Sequence, residues 1–125
     1  MTRLLRLIST LFLFALGLQA HGLHATTLTV LTSADSGPFS LRQAIIAANS
    51  NPDLDLITFN IGGSGPFTIN LLSPLPTLGT GMTIDGYTQA GARPNTLAEG
   101  DDAVIQIRLD GAAAAAGSNG LAVCA

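Results

Sequence analysis

The chain has 125 residues, with five arginines, no lysine and eight acidic residues, for a formal net charge of −3. It has no basic face with which to displace phosphate counterions, which argues against a nucleic-acid partner. Its single cysteine, Cys124, excludes an intrachain disulfide or a cysteine-based metal centre.

Arg3 and Arg6 give the chain a basic start, and Leu7–Ala20 is an apolar run interrupted only by Ser9, Thr10, Gly17 and Gln19. Small residues at Ala20 and Ala25 follow as cleavage positions. This order of basic, apolar and small residues predicts a secretory signal peptide over residues 1–25, cut after Ala25 or Ala20. Export through a Sec-type pathway and a secreted or cell-surface location follow from it. The run is short of the roughly 20 apolar residues a bilayer span needs, so no stable membrane span is expected after cleavage. Residues 26–125 then hold three arginines against eight acids, a formal charge of −5, and no histidine. Without histidine, Ser-His and Cys-His catalysis and histidine metal ligation are outside this segment's means.

Thr27–Leu31 (TLTVL) alternates β-branched and apolar residues and predicts a first strand. Asp35–Pro38 (DSGP) is turn chemistry. Ser40-Leu-Arg-Gln43 then matches a capping box, in which the Ser40 hydroxyl accepts from the amide of residue 43 and the Gln43 side chain reaches back to Ser40. Leu41, Ala44, Ile45 and Ala48 fall on one helical stripe, and Pro52 forces Asn51 out of helical space. The expected helix, Leu41–Asn49, would be about 13 Å long. Such a short helix is marginal alone and must dock its stripe on something apolar.

Period-two alternation predicts further strands at Leu56–Ile61, Phe67–Leu71, Met82–Asp85 and Val104–Asp110, with another starting at Leu121–Val123. Ile57, Phe59, Ile61, Phe67, Ile69, Leu71, Met82, Ile84, Ile105, Ile107 and Leu109 are the expected inward set. Glycine, proline and asparagine punctuate the intervals. Many short strands with such punctuation fit either a β-sandwich or a stacked solenoid.

Chemical sites are sparse. Glu99, Asp101 and Asp102 cluster three carboxylates, the oxygen-rich chemistry that calcium favours, although a solvated acidic turn explains them equally in kind. Asp85-Gly86 and Asp110-Gly111 each follow a strand, where an aspartate either joins a catalytic or calcium set or makes a turn. Arg42 is expected to pair with Asp53 or Asp55 on the surface. No cofactor motif is present: Gly62-Gly-Ser-Gly65 lacks the lysine and helix of a phosphate loop.

The run TSADSGPFSLRQAIIAANSNPDLDLITFNI (Thr32–Ile61) resembles the N-terminal region of bacterial secreted right-handed parallel β-helix proteins, and FSLRQAI within it resembles their CSLREA motif. Phe39 stands in place of the motif's cysteine and Gln43 in place of its glutamate. TIDGYTQAGARPNT and IQIRLDGAAAAAGSNGLAV resemble segments that lead into the coils. The resemblance implies an all-β fold, the N-terminal portion of a right-handed parallel β-helix (solenoid) with a short capping α-helix, preceded by the signal peptide. It implies residues 26–55 as an N-terminal strand and cap and residues 56–125 as incomplete first coils. Ser40, Leu41, Gln43, Ala44, Ile45 and Ala48 would form the structural cap over the open end, and a chain with so few coils is expected to self-associate. Two functions are compatible with this: a non-catalytic, adhesin-like scaffold that meets surface carbohydrate or a host or matrix ligand through further coils, or the first piece of a polysaccharide lyase or glycosidase whose catalytic residues lie beyond residue 125.

Overall fold

The computed structural model describes residues 25–124. The proposed signal peptide, except for Ala25, lies outside the described residues. Among them no helix is long and apolar enough to cross a membrane. In chain order the elements are β1 (Thr27–Val30), α1 (Leu41–Asn49), β2 (Asp55–Phe59), β3 (Phe67–Asn70), β4 (Met82–Asp85), a 3-10 turn (Gly86–Thr88) and β5 (Ile107–Asp110).

The strands form two separate parallel sheets. One has the order β1-β2-β4, with Leu28 beside Ile57 and Ile57 beside Ile84; the other joins β3 to β5, with Ile69 beside Leu109. Because side chains alternate along a strand, this register stacks apolar residues on one face of each sheet. The core comprises Val30, Ile57, Phe59 and Ile61 from the first sheet and its exit, Ile69, Leu71 and Leu75 from the second, and the Leu41, Ala44, Ile45 and Ala48 stripe of α1. Ile45 is fully buried.

The expected all-β solenoid is overturned. The chain is a small α/β-type fold whose two parallel sheets are open, and neither closes into a coil. The reason lies in residues 72–81, where a solenoid would need a further wall. Pro74 and Pro76 withhold donors there, and the segment makes only one parallel bridge, Leu78 to Val123. Alternation shows which side chains are half buried, but it cannot show which strands meet. Two local expectations change with it. Residues 104–106 are not strand, and Ile105 is 59% exposed rather than inward. Leu121–Val123 contributes a single bridge, and both end residues are exposed.

Candidate functional site

The polar side chains with the most partners surround α1 and the exit of β2. Gly37, in the turn before α1, adopts φ +96°, open to glycine without the Cβ clash other residues meet. That conformation directs its carbonyl to the helix entrance, where it accepts from the Ser40 N–H (3.3 Å) and hydroxyl (2.8 Å). The buried Ser40 is the N-cap, its Oγ accepting from the Gln43 N–H at 3.2 Å. The reciprocal half of the capping box is absent, because Gly37 rather than the Gln43 side chain takes the Ser40 N–H.

Arg42 does not pair with Asp53 or Asp55. Its Nη2 donates to Asp35 Oδ1 (2.6 Å) and the Ser73 carbonyl (2.8 Å), its Nη1 to the Pro74 carbonyl (2.6 Å) and its Nε to the Asp35 carbonyl (3.2 Å). The Gly37 turn brings Asp35 alongside the first helical turn, and both side chains of the pair are largely buried. One guanidinium therefore fastens α1 to the turn before it and to the 73–74 segment, the kind of multidentate contact arginine is suited to.

The far end of α1 is fastened the same way. Asn49 donates through Nδ2 to the Thr77 carbonyl (2.8 Å) and accepts at Oδ1 from the Gly79 N–H (2.9 Å). Gln89, 2% exposed, repeats the device at the exit of β2: its Oε1 accepts from the Ile61 N–H (2.8 Å) and its Nε2 donates to the Ile61 carbonyl (3.0 Å). Thr88 accepts the Phe59 N–H at 2.8 Å and donates to the Asp85 carbonyl at 2.6 Å. Each side chain takes the place of a missing neighbouring strand, because a buried peptide group needs a partner. Asp55, 3% exposed, accepts from Asn51 Nδ2 at 3.1 Å.

The proposed chemical residues are engaged in local turns. Asp85 Oδ1 caps the 3-10 turn by accepting the Tyr87 N–H (2.9 Å), and Asp110 Oδ1 accepts the Ala112 N–H (2.9 Å). Asp101 Oδ1 accepts from Ala103 (2.8 Å), while Asp102 accepts from the Thr96 N–H (2.7 Å) and hydroxyl (2.8 Å). Those Thr96 contacts, the backbone one foremost, hold the Asp102 carboxyl below its ordinary range. Glu99, Asp101 and Asp102 do not converge: among the described residues no three acidic, histidine or cysteine side chains are placed to hold a metal ion together. Cys124 and Arg108 are exposed. An open cleft of about 240 Å³ lies between Ile84–Tyr87 and Ile105–Ile107, with the Asp85 carboxylate and the Tyr87 ring among its walls.

Sequence reasoning placed the helix and its stripe but missed the bracing roles of Arg42, Asn49, Thr88 and Gln89. The only available signal was their polarity beside apolar runs, which surface residues share. Comparison with known protein families, curated proteins and solved structures finds no match for this chain.

Proposed function

We propose that the chain is a non-catalytic, exported scaffold module of the cell surface or medium, adhesin-like in presenting a rigid surface to carbohydrate or to a host or matrix ligand. The observation that carries this reading is how the polar side chains are used. Arg42, Asn49, Thr88 and Gln89 brace backbone, and Asp85, Asp101, Asp102 and Asp110 accept turn amides. A catalytic carboxylate or nucleophile needs a base, an acid or a developing charge to act on, whereas these groups are spent on holding the chain in place. The basic and apolar leader supports export, and the resemblance of Phe39–Ile45 to a motif of secreted bacterial proteins agrees with it.

Expression of the full chain in a bacterial host tests both parts. The released or surface-exposed product should begin at Thr26 or His21, and it should bind insoluble polysaccharides or matrix proteins without liberating reducing ends or unsaturated uronates. Retention of Met1 inside the cell would overturn export. Turnover of any polysaccharide, lost on Asp85→Asn in the cleft, would replace the scaffold with a polysaccharide-active enzyme.

A further inference from the structure

The open edge of β1 carries an inference that holds whether the module is a scaffold or part of an enzyme. β1 borders its sheet and has β2 on one side only. The Leu56 and Asn60 N–H groups donate to the Thr26 and Val30 carbonyls, each at 2.9 Å, so the even-numbered residues turn their backbone toward β2. Alternation then turns the N–H and C=O of Thr27 and Thr29 to the open side. The next residue in that series, Leu31, donates its N–H to the Phe39 carbonyl at 3.0 Å, which closes the edge there. Among the described residues, two threonines thus present four backbone groups with no strand beside them.

Beside this edge runs a groove of about 350 Å³ lined by Leu28, Leu31, Phe39, Ala44 and Ala47, with no charged side chain along it. Phe39 is 62% exposed and holds φ +61°, the one left-handed non-glycine residue among those described. A bulky residue in that region is strained, and an exposed ring forgoes burial as well. The edge also lacks lysine, proline and bulges, the features that usually prevent strand addition.

We propose that this edge takes an extended, uncharged peptide segment of another protein as an added strand, its backbone paired with Thr27 and Thr29 and an apolar side chain seated against Leu31 and Phe39. The groups on offer are a peptide's own complement, and the groove asks for an apolar residue at alternate positions. A second copy fits poorly. Two parallel copies of β1 related by a two-fold axis would both direct odd-numbered residues at the seam, where a parallel ladder needs opposing residues offset by one. Antiparallel pairing keeps both α1 helices on one sheet face, where they compete for the space above the seam.

The test uses the full chain and, as probe, a blocked five-residue peptide alternating threonine and valine. At saturating peptide, amide exchange at Thr27 and Thr29 should slow by about tenfold or more while Leu28 and Val30 stay unchanged. Thr29→Pro removes one outward donor and leaves the β2 ladder intact, so it should abolish binding. Phe39→Gly should weaken binding by about tenfold while keeping or raising Tm, because glycine relieves the left-handed backbone. This split keeps the test decisive if Thr29→Pro does not fold. The proposal is overturned by unchanged exchange at Thr27 and Thr29 or by Phe39→Gly lowering Tm without affecting affinity. It is equally overturned by protection before peptide is added, which would assign the edge to a segment of this chain, or by protection accompanied by a doubled mass, which would assign it to a second copy.

Discussion

Arg42 shows how much one side chain is asked to do. Four donor contacts converge on the Asp35 carboxylate and three carbonyls, two of them more than thirty positions away in sequence. Removing the guanidinium leaves a largely buried carboxylate and those carbonyls without their donor, and a charged hydrogen-bond network of this kind is worth about 2–3 kcal/mol. Arg42→Ala should therefore lower stability by about that amount in urea unfolding, and Arg42→Lys, a point charge without the fork, should recover less than half. Asp102 acts on a smaller scale. Its carboxyl is held low by Thr96, so the stabilisation it gives the 93–104 loop is complete above an unfolded aspartate's ordinary value, about 3.9. That stabilisation is lost as pH falls through the lower folded value. Amide exchange at Thr96, followed across acid pH, should accelerate over that window in the native chain and show no such step in Asp102→Asn.

At the scale of the element, α1 is too short to stand alone, and its stability is tertiary. Its nine residues are held at the start by Ser40 and Gly37, along one side by Arg42, at the end by Asn49, and underneath by Leu41, Ala44, Ile45 and Ala48. A charge at the fully buried Ile45 has no partner within reach and costs several kcal/mol. Ile45→Asp should lose the cooperative melt and scatter light on concentration, whereas Ile46→Asp, one position round on the exposed face, should melt like the parent. Equal melting of the two would remove α1 from the core. The helix and its stripe were legible in the residues because the 3.6-residue period, the serine start and the proline stop all agree. The partner of Arg42 was not legible, since it depends on a glycine turn folding Asp35 back onto the helix.

For the whole molecule, the two open sheets meet through side chains rather than through a continuous ladder. Gln89 is the clearest instance, because it gives Ile61 the two hydrogen bonds that another strand would have supplied. Gln89→Leu keeps bulk but leaves a buried N–H and C=O unpaired, at about 1–3 kcal/mol for each group. Urea unfolding should show a loss of about 3 kcal/mol or more, spread over both sheets because their apolar faces share one core. A change confined to residues 86–92 would show that the two sheets unfold independently.

The residues by themselves determined the strand faces, the helix and its buried stripe, the turn roles of the aspartate-glycine pairs and the absence of histidine chemistry after residue 25. These follow from short-range rules of periodicity, capping and dihedral preference, which act within a few positions of one another. Only the tertiary structure decided that the strands divide into open sheets of three and two, that residues 104–106 leave the ladder and that Arg42, Asn49 and Gln89 brace distant backbone. Those outcomes depend on which segments meet across thirty or more residues. Local alternation looks the same for a strand that continues a coil and for one that ends a sheet.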